Sequence, residues 1–393
     1  MSSRVSERVL SIPLSGIRRV VEYAKGLRDV IFLNLGEPDF TTPEHIRDAA
    51  KKAIDEGFTH YTSIWGLPEL REAIAEKLGR ENGIDVDADS EILITAGAQP
   101  AFFSVCQTLI DPGDEVIVQD PFYSSYEVTL RVLGAKIIPV PMKEQTGFTI
   151  DPHDVEAKIT NKTKMIVIIS PNNPTGNVLD KNTLEAISEI AQDHDLMVVS
   201  DEIYEKMTYD GVKNYSIGSI SGMEDRTVTI NSFSKTYAMT GWRVGFIAAD
   251  KEIMKEIVKV HHTMNVCACG ISQKAAVAAL TGPQDFVKEM VTEYDRRRRE
   301  IVSLANEISG FRCQMPKGAF YIFPNIETFQ MPSMELAKHI IKEARVVTVP
   351  GSAFGSGGEG HLRISYAASL ENIREALGRI KETAEKLQVS GSK

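Results

Sequence analysis

The chain has 393 residues, 42% hydrophobic and 25% charged, with a formal net charge of −10. That length is large for one hydrophobic core, so two domains are expected. The negative balance argues against a nucleic-acid surface, and no apolar run approaches the ~18 residues of a membrane span.

In chain order, residues 1–19 are rich in serine and arginine, as a transit peptide is. The segment carries Glu7 and has no small-residue cleavage signal, so it reads as an ordered arm. Between residues 91 and 250, short apolar runs alternate with amphipathic ones. The runs 91–95, 115–119, 165–169, 196–200 and 226–231 read as buried strands, mostly spaced for helical crossovers. Asp180 to His194 reads as one crossover helix. The run Val244 to Ala249 is a further strand, close enough to its predecessor to pair antiparallel. An α/β sheet with helices on both faces follows. After about residue 283 come a long helix with Arg296-Arg-Arg-Arg299, short strands at 319–323 and 361–366, and a final helix from Ser369 to about Leu387. This is a smaller α+β unit. The four arginines read as a solvated helix face beside Glu293, Asp295 and Glu300.

The four cysteines (Cys106, Cys267, Cys269, Cys313) form no framework of pairs. Cys267-Ala-Cys269 lacks the spacing of a zinc site, so buried reduced thiols of a cytoplasmic protein are expected. His261-His262 point in different directions from a helix and suggest no metal. Gly355-Ser-Gly-Gly-Glu-Gly360 matches a dinucleotide fingerprint in letters only. It leads into a strand, not a helix, and reads as a flexible loop.

The strand ends carry the chemistry, because ligands of open α/β sheets bind beyond the carboxyl ends. Gly97-Ala98-Gln99 opens a helix whose free N–H groups suit a phosphate. Asp120-Pro-Phe-Tyr123 offers an aromatic face. Next come Ser170-Pro-Asn-Asn173-Pro-Thr-Gly176 and Asp201-Glu-Ile-Tyr204. The last is Ser232-Phe-Ser-Lys235, with Arg243 eight residues on. Desolvation and neighbouring cations would leave such a lysine deprotonated and able to attack a carbonyl. Pyridoxal 5'-phosphate explains the set. Lys235 would form the Schiff base and move protons, Asp201 would face the protonated ring nitrogen, and Tyr204 and Asn173 would hold the phenolic oxygen. Tyr123 would stack on the ring, while Ser232 and Arg243 would take the phosphate. Ser232-x-x-Lys235 also fits serine β-lactamases, but their partner motifs are absent.

Taken with Gly36-Glu-Pro-Asp-Phe40, His60-Tyr61, Gly241-Trp-Arg243, Pro350-Gly-Ser-Ala-Phe354 and Leu362-Arg-Ile-Ser-Tyr366, these motifs resemble a known family. The chain is similar throughout to fold-type I pyridoxal phosphate aminotransferases of class I/II, in the branch of archaeal and bacterial aspartate and aromatic aminotransferases. The resemblance implies a large domain with a mainly parallel seven-stranded sheet flanked by helices. It implies a division into an arm and part of the small domain (1–45), the large domain (46–285) and the small domain (286–393). It also implies that Arg363 grips the substrate α-carboxylate with help from Asn173, and that the backbone near Gly36 closes over it. Gly97, Ala98, Ser232 and Arg243 would hold the phosphate. Tyr61 would reach the phosphate of a neighbouring subunit, making a homodimer with shared sites. Substrates would be an amino acid, aspartate or aromatic, and a 2-oxo acid, 2-oxoglutarate foremost. Gln99 stands where some aspartate-selective relatives carry a lysine, which favours aromatic or broad specificity. A C–S lyase on the same scaffold and a non-catalytic sensing module are the alternatives.

Overall fold

A computed structural model describes residues 4–10, 12 and 16–391. The expected arm at 1–19 therefore lies partly outside the described residues. A short strand, β1 (Ile31–Phe32), precedes the central sheet. That sheet contains β2 (Ile92–Thr95), β3 (Glu115–Asp120), β4 (Lys136–Pro141), β5 (Thr163–Ile169), β6 (Met197–Asp201), β7 (Thr227–Ser232) and β8 (Gly245–Ala248). Their spatial order is β2-β8-β7-β6-β5-β3-β4, and β8 is antiparallel to both of its neighbours while the other pairings are parallel. The strand β4 was not among the runs read as strands. Pro139 and Pro141 interrupt its apolar pattern, and its edge position is what tolerates them.

The strands are near-continuous apolar runs because both sheet faces are covered. Along β3, Val116 and Val118 face one core with Val105, Tyr126, Leu130 and Ile257. The residue between them, Ile117, faces another with Leu184, Ile187 and Ile190. Those three isoleucine and leucine side chains belong to the crossover helix Lys181–Asp193, whose Asp180 side chain caps the Thr183 N–H at 2.8 Å.

Four short strands lie apart from this sheet: β9 (Tyr321–Ile322), β10 (Val346–Val347), β11 (Val349–Pro350) and β12 (Leu362–Ser365). They form an antiparallel sheet β11-β12-β9, and β10 pairs in parallel with β1. Their core joins Val20, Ala24 and Leu33 to Tyr294, Ile301, Ile364, Ile380 and Ala384. Tyr204, Met207 and Tyr209, just beyond β6, also enter it. The final helix runs Leu370–Gly391, somewhat past the expected end.

Two sequence expectations need correction. The four arginines are not one solvated face, because consecutive helical residues point some 100° apart and the run wraps the helix Asp285–Asn306. Arg298 is fully buried and donates to Asp295, Asp210 and the Pro316 carbonyl. Arg297, also buried, donates to both carboxylate oxygens of Asp39 at 2.8 Å. Nor are all the cysteines buried: Cys106 and Cys313 are, but Cys269 is exposed at the start of the helix Gly270–Thr281. Among the described residues no cluster of His, Cys, Asp or Glu is arranged to hold a metal. No described helix is long and apolar enough to cross a membrane.

Candidate active site

Five parallel strands, β2, β3, β5, β6 and β7, deliver their carboxyl ends to one edge of the sheet. There they border a cavity of about 340 Å³. Gly36, Ala98, Gln99, Tyr123, Asn173, Asp201, Tyr204, Lys235, Arg243 and Arg363 all line it. Gly97 lies directly behind the wall, Ser232 is set back from it, and Tyr61 is elsewhere on the surface, 84% exposed.

At the end of β7, Ser232 starts a single helical turn by accepting the Ser234 N–H at 3.1 Å. Its hydroxyl is also held by the Val244 carbonyl at 3.0 Å, so Ser234 is the serine at the cavity wall. The turn presents Lys235, whose Nζ donates to the Gly36 carbonyl and lies 5.8 Å from the centre of the Tyr204 ring. Burial foremost, with Arg363 and Arg243 beside it, lowers the Lys235 pKa to about 8 against the opposing charges of Glu37 and Asp201. The neutral amine is thus far more accessible near neutral pH than that of an exposed lysine.

Asp201, the last residue of β6, is buried. Its carboxylate accepts the Tyr126 hydroxyl and, at 3.1 Å, the Ile203 N–H. Burial raises its pKa against these two bonds and against the charge of Lys235. Tyr126 stacks on Phe102 with centroids 4.2 Å apart. It escaped the sequence reading, although it lies three residues after Tyr123 on the helix Ser124–Leu133, and that spacing places the two on neighbouring positions of one face.

Two anion pockets flank these groups. At the first, Gly97 adopts φ +97° just before the helix Ala98–Leu109. A Cβ there would lie 2.6 Å from Arg243 Nη2, so only glycine lets the guanidinium reach the helix N-terminus. At the second, Arg363 in β12 is buried. It donates to Asn173 Oδ1 at 3.0 Å and to the Asn34 carbonyl at 2.7 Å, and its Nε has no partner. Its partners are a neutral amide, a carbonyl and the ring faces of Tyr321 and Phe354, which leaves its charge for a ligand. Tyr321, Thr240 and Phe102 also line the wall and were not singled out from the sequence.

This arrangement offers an amine of lowered pKa, a buried carboxylate and two separate anion pockets. Such a set can hold an anion at each of two places, with an amine and a carboxylate in the same cavity.

The comparisons with known proteins agree with it. The model of the family "Aminotransferase class I and II" matches residues 28–380. The chain belongs to that family and is an aminotransferase. It is 45% identical over 380 residues to the aspartate aminotransferase of Pyrococcus abyssi, covering 96% of this chain and 97% of the relative. It is 44% identical to aromatic-amino-acid aminotransferase 2 of Thermococcus litoralis, with the same coverage. The solved structure of aspartate aminotransferase from Thermus thermophilus with maleate superposes with a TM-score of 0.92 at 39% identity, over 96% of this chain and 99% of that one.

Proposed function

We propose that this aminotransferase is dependent on pyridoxal 5'-phosphate. It would move the amino group of an L-amino acid, aspartate or aromatic or both, to a 2-oxo acid, foremost 2-oxoglutarate, in two half-reactions. The observation that carries the reading is Lys235, a lysine with its pKa brought to about 8 between the two guanidiniums, within one cavity with buried Asp201. The residues fit the cofactor. The N–H groups at Gly97, Ala98 and Gln99, Ser234 with Ser232 behind it, and Arg243 suit its phosphate. Asp201 suits a protonated ring nitrogen, Tyr204 and Asn173 the phenolic oxygen, and Tyr123 the ring face. When bound, the cofactor supplies an electron sink that lets a proton leave the α-carbon of the amino acid.

Every other task falls to the chain. Arg363 binds the α-carboxylate with Asn173 alongside, and the loop at Gly36 shuts out water. Lys235 Nζ would take the proton from the α-carbon and return it two bonds away, on the far side of the nitrogen being transferred. The cations lining the cavity among the described residues are Lys235, Arg243 and Arg363, all three with a task. A second substrate carboxylate therefore has only the neutral Gln99 amide from this subunit, which favours aromatic or broad specificity. The proposal includes a cytoplasmic homodimer with shared sites, in which Tyr61 meets the phosphate of the other subunit. Exposed Tyr61, Ile64, Met264 and Val266 support it, on segments that meet at the Gln273–Thr62 bond of 3.0 Å. It also keeps the domain limits 1–45, 46–285 and 286–393; the packing of Val20 and Leu33 with Tyr294, Ile364 and Ile380 supports joining the arm to the smaller unit.

Purified protein with cofactor, 2-oxoglutarate and aspartate or an aromatic amino acid should form glutamate, and Lys235→Ala should abolish this. Ammonia and pyruvate from a cysteine-type substrate would instead indicate a lyase, and no turnover at all a sensing module. In a kcat/KM panel, a preference for alanine or branched-chain substrates above both expected classes would sink the substrate reading.

A further inference from the structure

Tyr321 belongs to no recognised motif and opens β9 of the smaller sheet, yet it touches three parts of the site at once. It is wholly buried, and it lines the cavity. Its pairing with Ser365 puts it on the same sheet face as Arg363, one diagonal step away. The Arg363 guanidinium lies over its ring at 4.3 Å. Its hydroxyl is 2.8 Å from that of Tyr204, the two rings meeting edge to face at 5.9 Å. The same hydroxyl lies 2.7 Å from where a Cβ on residue 36 would be, so glycine there lets the loop close onto it.

Two buried phenols that share one hydrogen bond leave one proton free. The positive charge of Arg363 beside Tyr321 makes Tyr321 the better donor of the pair. The proton left over is that of Tyr204, which faces the cavity. We propose that Tyr321 is a positioning residue of this site: its hydroxyl donates to Tyr204 and turns the Tyr204 proton toward the phenolic oxygen of the cofactor, while its ring holds the Arg363 guanidinium level for the substrate carboxylate. The inference rests on the cofactor reading given above. A donor backed by a second donor is the stronger for it, because hydrogen bonds in a chain polarise one another. Loss of the Tyr321 hydroxyl then leaves the phenolic oxygen more basic.

The hydroxyl and the ring can be removed separately. Tyr321→Phe keeps the ring, whereas Tyr321→Leu loses both. The test is a pH titration of the bound cofactor's absorbance in the holoenzyme, together with KM for the amino acid. Tyr321→Phe should raise the absorbance midpoint by about half a pH unit with KM nearly unchanged. Tyr321→Leu should raise it equally and increase KM roughly tenfold. Adding Tyr321→Phe to Tyr204→Phe should shift the midpoint no further than Tyr204→Phe alone. An unmoved midpoint in Tyr321→Phe, or a fully additive shift in the double variant, would overturn the role of Tyr321 and leave the aminotransferase reading standing. Wild-type protein without a pH-dependent cofactor absorbance that Lys235→Ala removes would overturn both.

Discussion

Lys235 is useful because it is poorly solvated. An exposed lysine would be almost wholly protonated at pH 7, whereas burial and two nearby guanidiniums bring this one to about 8. The sign of the consequence is fixed: the shift is downward, so the reactive neutral amine is abundant above pH 8 and scarce below. Capture of pyridoxal phosphate by the cofactor-free protein, followed by stopped-flow absorbance, should quicken roughly tenfold per unit below pH 8 and level off above it. A rate that is flat from pH 6 to 9 would refute the assignment. At this scale the sequence was legible wherever a special residue stood beside a strand end, as Lys235, Asp201 and Asn173 do. It was silent on Tyr321 and on the tie from Arg297 to Asp39, since partners separated by more than a hundred residues share no local pattern.

The turn after β6 is anchored from behind as well as from the cavity. Glu202 is buried. It accepts from Ser200 at 3.0 Å, from Asn82 at 3.0 Å and from Ser216 at 2.5 Å. Glu205 pairs with Lys77 and accepts from Asn82 at 2.8 Å. A π-helical turn, Leu78–Asn82, ends the helix Pro68–Lys77 and brings Lys77 and Asn82 onto these carboxylates. Burial, reinforced by Glu205, raises the Glu202 pKa to about 7. A carboxyl group raised in the folded state holds its proton more tightly there than in the unfolded chain. Its ionisation therefore destabilises the fold progressively between about pH 4.5 and 7, and fully above. Glu202→Gln should leave the melting temperature near pH 4.5 unchanged and raise it at pH 8. Equal effects at both would show that charge is not what matters. The sheet elements themselves were readable because their buried strands are unbroken apolar runs. The strand β4 was not, since its prolines mimic a loop.

The whole molecule joins separate cores around one cavity. Lys235 and Asp201 stand on the central sheet, while Arg363 and Tyr321 stand on the smaller one. In the proposed dimer each cavity also draws Tyr61 from the neighbour. Neither Tyr61→Ala at limiting cofactor nor Lys235→Ala should be fully active alone. After subunit exchange the mixture should exceed both parents when cofactor is scarce enough to leave Tyr61→Ala strongly impaired, since half the sites of a hybrid regain every group. No gain on mixing, with sedimentation at the mass of one chain, would exclude shared sites.

The smaller core has a consequence for how the protein comes into being. It needs Val20 and Leu33 from one end of the chain and Ile380 and Ala384 from the other. On a ribosome, the central sheet is fully synthesised once Ala248 has emerged, and Lys235 with it. The early segment must wait, unpaired, for almost all of the remaining polypeptide. Only then can β1 find β10 and the arginine at 363 find the carbonyl of Asn34. The nascent chain thus acquires the proposed Schiff-base lysine well before the arginine proposed to hold the substrate can be set in place.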